Sequence, residues 1–370
     1  MSQSVLAAVK APINPTGHST VHTAVAAPAQ QTSVLDLVQH SLTGQSLSFE
    51  QAEQFFTAVV KGEVEPVHLT ALLVALKMRG ETAAEIAGAA SAMRQTALKL
   101  PERISPSIDC CGTGGDGSDS INISTTAAIV AAAMGMSVIK HGNRSVSSRS
   151  GSADLLEQLG VNIAMTPQQA ATSLKQSRCS FLFAPQYHVG IKHAMPVRKS
   201  LKSRTIFNLL GPLVNPACPD FQLLGVYDAN LCNVMAEALQ QLGVKRAWVV
   251  HGSGCDEIAL HGPTTVSELH QGVIRQFTLT PSDFGLTTTP LSELAGGEPA
   301  ENAAATLAIL QGQGTVAHNQ AVAVNVAAMM KISGLGDDLI ANTKQVLQLL
   351  QTKQAYNTLQ QFKEVSHDHK

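Results

Sequence analysis

The sequence predicts an α/β protein carrying a small all-helical part, on three observations. Helical patterning is dense from about Val34 to Leu100. Beyond Pro106, short apolar runs alternate with helical patterns, the signature of a mainly parallel sheet covered on both faces. Polar, glycine-punctuated loops follow the first runs, where a sheet of that kind places its ligands.

In the helical part, Ser48-Phe-Glu-Gln51 has capping-box form ahead of Phe55, Phe56, Val59 and Val60, and Thr82-Ala-Ala-Glu85 repeats it. Short loops such as Gly62–Pro66 join these helices into a small bundle. The style changes at Pro101–Pro106. An apolar run at Ile108–Cys111 then leads to a helix from Ser124, and a second at Ser137–Ile139 to a helix from Ser152. Runs at Cys179–Phe183, Phe221–Val226 and Arg246–Val250 continue the series. Residues 190–216 interrupt it with two short helical patterns and many charges.

The chain has 370 residues, enough for about two domains. A net charge of -2 gives no footprint for nucleic acid or an anionic membrane. The six cysteines lack metal-ligand spacing and read as reduced thiols of a cytoplasmic protein. The longest low-polarity run, Ala127–Met136, is about half a membrane span. Residues 1–32 lack the basic start and apolar core of a signal peptide and have few large apolar residues, so they read as a flexible tail.

Four loops fall between residues 112 and 154: Gly112-Thr-Gly-Gly-Asp116, Asn122-Ile-Ser-Thr125, Lys140-His-Gly-Asn-Arg144 and Gly151-Ser-Ala-Asp154. Glycines admit positive φ and clear side chains from the path of a phosphate. A plain tight turn is the alternative for the first loop. Ser124 and Thr125 open a helix, either as N-caps worth about 1 kcal/mol or as part of an anion site, and both roles can coexist. Lys140 suits a phosphate and Asn143 a planar polar ligand. His141 reads either as a ligand contact or as a surface turn residue, and Arg144 as a local ion pair. Ser152 can add a hydroxyl to the anion. Asp256-Glu257 is an ordinary surface pair or, beside a phosphate cradle, a magnesium site. Arg198, in a basic cluster with Lys192, Lys199, Lys202 and Arg204, lies on a solvated helix face or grips a carboxylate.

Together with Phe181-Leu-Phe-Ala-Pro185 and Arg204-Thr-Ile-Phe-Asn-Leu-Leu-Gly-Pro-Leu-Val-Asn-Pro216, these motifs resemble, in order, those of the anthranilate phosphoribosyltransferases. The likeness runs from about residue 34 to near the C-terminus. It implies the two-domain fold of the nucleoside phosphorylase and class III-like phosphoribosyltransferase group. Residues 33–105 and 190–216 would form the helical, dimerising domain, and 106–189 and 217–370 the α/β domain. It implies transfer of a phosphoribosyl group from phosphoribosyl pyrophosphate to the amine of anthranilate, a step of tryptophan biosynthesis. A homodimer is implied, with an anthranilate synthase as a candidate associate and with Mg2+, two per subunit when the pyrophosphate substrate is bound.

By the same resemblance, Gly112, Thr113, Gly115, Asp116, Asn122, Ser124, Thr125, Lys140 and Ser152 hold phosphoribosyl pyrophosphate. Ser124, Asp256 and Glu257 serve the metals. Gly112, His141, Asn143, His188 and Arg198 line the anthranilate path. Lys140 and Arg198 carry catalysis, Lys140 at the leaving group and Arg198 at the substrate carboxylate. The chain departs from the family pattern at Ser120-Ile121, at Val189-Gly190, at Lys202 (where glycine is common) and at Cys255. Two rivals are a pyrimidine nucleoside phosphorylase-like enzyme, against which Asp256-Glu257 and the Lys140 loop argue, and a non-catalytic nucleic-acid-binding relative, against which the charge argues.

Overall fold

Four helices open the described chain, and their ends follow from their sequences. The computed structural model describes residues 32–145 and 149–368; the tail expected over residues 1–32 lies, apart from Thr32, outside them. The helices are α1 (Val34–Leu42), α2 (Phe49–Lys61), α3 (Pro66–Arg79) and α4 (Ala83–Thr96). Ser48 and Thr82 form the capping boxes that the sequence predicts. Gly62 ends α2 in the left-handed region, at φ 79°. Glu85 does more than cap: it is buried, accepts from the Leu47 amide at 2.8 Å and pairs with Arg79.

The α/β part then runs β1 (Ile108–Gly112), α5 (Ile123–Ala133), β2 (Val138–Gly142), α6 (Ser152–Gln158), α7 (Pro167–Ser177) and β3 (Cys179–Phe183). After α8 (Ala184–Tyr187), the inserted segment carries α9 (Met195–Leu201) and α10 (Phe207–Leu210). There follow β4 (Phe221–Gly225), α11 (Leu231–Gln241), β5 (Arg246–Gly252), β6 (Thr264–His270) and β7 (Val273–Leu279). Four helices close the chain: α12 (Pro299–Leu310), α13 (Val316–Ser333), α14 (Leu339–Leu350) and α15 (Gln354–His367). Among the described residues no helix is long and apolar enough to cross a membrane.

The seven strands lie in the order β3-β2-β1-β4-β5-β6-β7. The first five are parallel; β6 pairs antiparallel with β5, and β7 antiparallel with β6. From β1 the chain winds outward through β2 and β3, then returns to place β4 on the other side of β1. That reversal opens a crevice past the carboxyl ends of β1 and β4, where Gly112 pairs in register with Gly225.

Alternate strand residues feed two cores on opposite faces. Leu223, Trp248 and Val250 join a cluster with α5, α13 and α15. Leu224, Ala247 and Val249 join one with α2, α4, α11 and the insert residues Val197, Phe207 and Leu213. The four-helix part thus shares its core with one face of the sheet. Helix α13 is apolar nearly all round and is accordingly buried along its length.

Two elements differ from expectation. The β6–β7 hairpin was not anticipated. The second strand runs to Gly142 rather than ending at Ile139, because its parallel register with β3 continues through Lys140↔Phe181, His141↔Leu182 and Gly142↔Phe183. Lys140 and His141 are therefore buried strand residues and not loop residues, which corrects the surface-turn alternative for His141.

Candidate active site

The crevice is a cavity of about 440 Å³ that gathers all four glycine-punctuated loops and the carboxylate pair. Its floor is the end of β1. Thr113 N donates to Gly225 O at 3.0 Å, and Tyr227 N donates to Thr113 Oγ1 at 3.1 Å, so the loop leaves the sheet in a fixed direction. Gly114, Gly115 and Gly117 then take φ of 68°, 74° and 76°, conformations that side chains rarely adopt. Glycine at 112 answers a different need. A Cβ there would stand 2.1 Å from Asp256 Oδ2.

Asp256 and Glu257 lie under this loop. Gly114 N donates to Asp256 Oδ2 at 2.7 Å, and Asp256 N donates to Asp116 Oδ2 at 3.2 Å. Glu257 Oε1 accepts from Ser124 N at 3.1 Å, so the chain's own carboxylate sits at the amino end of α5, where an anion is favoured. Burial, and then the neighbouring Asp116, lift Asp256 to about 6; burial, and then Asp256, lift Glu257 to about 8. These are two oxygen-donor groups whose negative charge has too little compensation, the condition a hard divalent cation relieves.

The start of α5 departs from the capping expectation. The N-cap is Asn122, so Ser124 and Thr125 lie inside the first turn and cap nothing. Asn122 Nδ2 donates to Ser150 O at 2.9 Å, and its Oδ1 accepts from Asn302 Nδ2 at 2.8 Å. Ser124 Oγ accepts from Lys140 Nζ at 3.2 Å, and Lys140 also donates to Cys110 O. Burial disfavours the Lys140 charge, whereas the adjacent Cys110, Cys111, Asp109 and Glu257 act in the opposite direction, and the net direction is upward from the ordinary lysine value.

His141 Nδ1 lies 3.2 Å from Gly211 O. A carbonyl only accepts, so Nδ1 carries the proton and Nε2 is a bare acceptor, buried and without a protein partner. Burial, and then the adjacent His188, press His141 down to about 3; burial presses His188 to about 4. Both rings are neutral at pH 7 and stand edge to face, 5.1 Å apart.

Of the residues singled out from sequence, Gly112, Thr113, Gly115, Asp116, Asn122, Ser124, Lys140, His141, Asn143, Ser152, Asp256 and Glu257 line the cavity. Three do not. Thr125 is buried in α5 with its hydroxyl unpartnered. His188 lies behind His141. Arg198 lies on α9 over the Phe207 ring, 5.1 Å from its centroid, and burial alone acts on its charge. Arg144 pairs locally with Asp154 and Glu157, as expected.

Sequence reasoning missed Asp109, Asn215, Asn302 and the reach of Arg204. Asp109 is fully buried on β1 and accepts from Asn215 Nδ2 at 2.8 Å. All six cysteines are free thiols. Burial lifts Cys110 to about 12 and Cys111 well above the usual thiol value, which leaves neither poised as a thiolate.

The model of the glycosyl transferase family helical bundle domain matches residues 35–97, and that of the same family's a/b domain matches residues 105–356. The anthranilate phosphoribosyltransferase of Pseudoalteromonas translucida is 57% identical over 334 residues, 90% of this chain and 94% of that one. The crystal structure of the Thermus thermophilus anthranilate phosphoribosyltransferase superposes with a TM-score of 0.86 at 42% identity, over 90% of this chain and all of that one. The Saccharomyces cerevisiae enzyme in complex with PRPP and Mg gives 0.80 at 28%, over 90% and 97%. The chain belongs to the glycosyl transferase family that joins a helical bundle to this α/β domain, and within it to the anthranilate phosphoribosyltransferases.

Proposed function

We propose that the cavity transfers a phosphoribosyl group from phosphoribosyl pyrophosphate to the amine of anthranilate, releasing pyrophosphate and N-(5-phosphoribosyl)anthranilate for tryptophan biosynthesis. The observation that carries this is the meeting, in one cavity, of a three-glycine anion loop, a helix amino terminus, a buried lysine and a half-buried carboxylate pair.

The residues divide the work. Gly112, Thr113, Gly115 and Asp116 with Asn122, Ser124, Thr125 and Ser152 bind the phosphorylated sugar, Thr125 by shaping the first turn of α5 from within. Asp256, Glu257 and Ser124 would hold Mg2+, two ions per subunit when the pyrophosphate substrate is bound; their oxygen donors and uncompensated charge fit it. Bound there, the metal would neutralise charge on the departing pyrophosphate. Lys140 adds a fixed positive charge at the same wall.

The amine nitrogen bonds to the anomeric carbon as that carbon's bond to the pyrophosphate oxygen breaks, with inversion; pyrophosphate leaves with the electron pair, and the ammonium formed loses its proton to water. An aromatic amine is neutral at pH 7 and requires no base, which agrees with the low proton affinity that burial gives His141 and His188. The bare Nε2 of His141 can accept an amine hydrogen and so aim the nitrogen. Gly112 and Asn143 flank that path. Arg198, which has no acidic partner among the described residues, pairs the anthranilate carboxylate once the insert closes on the sheet.

Residues 33–105 and 190–216 act as the helical domain, and 106–189 and 217–370 as the α/β domain. A homodimer through the helical domain agrees with the exposed apolar side chains Leu35, Leu42, Val67, Val74 and Met78 on α1 and α3. Six free thiols agree with a cytoplasmic protein, and an anthranilate synthase is a candidate associate. The test is pyrophosphate release by the purified chain. It should require anthranilate, phosphoribosyl pyrophosphate and Mg2+ together; cleavage of a nucleoside by inorganic phosphate instead would favour the phosphorylase reading.

A further inference from the structure

Arg204 belongs to the inserted segment, yet its Nη2 donates to the carbonyl of Gly115, in the middle of the glycine loop. Its guanidinium lies over the ring of Tyr227, with the central carbon 3.9 Å from the ring centroid. Tyr227 in turn donates its amide to Thr113 Oγ1, two residues before Gly115. Next to Arg204, Ser203 accepts from Lys77 Nζ on α3. Arg204 is exposed and lies outside the cavity lining, whereas Gly115 and Asp116 are part of it.

A planar trans peptide points its carbonyl and the next N–H in opposite directions. An arginine that holds the Gly115 carbonyl away from the cavity therefore turns the Asp116 amide toward it. The loop needs such a restraint, because Gly114 and Gly115 at φ of 68° and 74° have no side chains to oppose other conformations. Asp256 holds the loop from beneath, at Gly114 N and through Asp116 Oδ2. Arg204 supplies the restraint from the other side.

We propose that Arg204 is a positioning residue that latches the Gly112–Asp116 loop in its anion-binding conformation, with Tyr227 as the platform that fixes the guanidinium plane. This rests on reading the loop as the phosphoribosyl pyrophosphate cradle. It ties that cradle to the segment that carries Arg198, so the two substrate regions share one mechanical element.

The test has two readouts. Amide hydrogen exchange of residues 113–117 in the ligand-free protein should quicken about tenfold in Arg204→Ala and Tyr227→Ala and stay unchanged in Tyr227→Phe. In the same variants the Kd for phosphoribosyl pyrophosphate with Mg2+ should rise about tenfold, while the anthranilate KM at saturating phosphoribosyl pyrophosphate moves less than about twofold. Arg204→Lys keeps the charge but neither the plane nor the fork, and should resemble Arg204→Ala. Unchanged exchange in Arg204→Ala would overturn the latch. So would full recovery of affinity by Arg204→Lys, since charge at a distance would then suffice. A wild-type chain that binds no phosphoribosyl pyrophosphate, with the exchange difference intact, would overturn the reading of the loop and leave the latch standing.

Discussion

The carboxylate of Asp256 meets the backbone of Gly114 from beneath the glycine loop, with Oδ2 2.7 Å from the amide nitrogen. The two are far apart in sequence and are joined because β5 runs beside β4, which runs beside β1. This contact makes Gly112 a matter of space. Its Cβ position lies 2.1 Å from the same oxygen. Gly112→Ala must displace Asp256, and with it the loop and the metal ligand. Loss of a positioned electrostatic group predicts a fall in kcat/KM of about a hundredfold or more, with an unchanged far-ultraviolet circular dichroism spectrum. Steady-state kinetics within about twofold of the parent would contradict the geometry.

The carboxylate pair sets a pH dependence. Folding lifts Asp256 from 3.8 to about 6 and Glu257 from 4.5 to about 8, through burial and then their acidic neighbours. The folded chain thus keeps protons that the unfolded chain has already lost. In the metal-free protein the two groups therefore cost stability progressively as pH rises from about 4 through 8. A divalent cation favours the charged forms. At a fixed concentration Mg2+ should raise Tm more at pH 8 than at pH 6, and Asp256→Asn with Glu257→Gln should remove the difference. Equal shifts in thermal melts at the two pH values would argue against these groups as the ligands.

Among the described residues Arg198 has no acidic partner, and its guanidinium lies over the Phe207 ring. If it meets the anthranilate carboxylate, Arg198→Ala should raise the anthranilate KM by about tenfold or more, the worth of a charge-assisted pair, while phosphoribosyl pyrophosphate affinity is kept. Separate titrations of the two substrates check this. Equal weakening of both would place Arg198 elsewhere in the account.

Lys202 ends α9 in the left-handed region, at φ 44° and ψ 37°. This gives a physical reason why glycine is common there in the family. Lys202→Gly relieves the Cβ contact of that conformation and should stabilise the fold by about 0.5–1 kcal/mol, read as a higher denaturation midpoint. A lower midpoint would mean that the lysine side chain contributes more than its backbone costs.

Much of the crevice was legible because its chemistry is written in residue types that do little else. Glycines at 114, 115 and 117 announce positive φ, and Ser48 and Thr82 announce helix starts. What stayed hidden depends on distant partners. Asp109 sits in an apolar run and acquires meaning from distant partners such as Asn215 and the His141 amide, and Asn302 from Asn122. Arg204 looked like one of several basic residues until the fold brought Gly115 beside it. The β6–β7 hairpin did leave a signal: two β-branched runs flank Gln271-Gly272, both at positive φ. The extent of β2 left less, since Lys140 and His141 are polar and only pairing with β3 draws them into the sheet.

The most direct test of the central claim is the fluorescence of anthranilate mixed with the purified chain and phosphoribosyl pyrophosphate. The account predicts a steady loss with Mg2+, none with a chelator, and none with Asp256→Asn plus Glu257→Gln. Fluorescence that stays constant with folded protein and Mg2+ would contradict it.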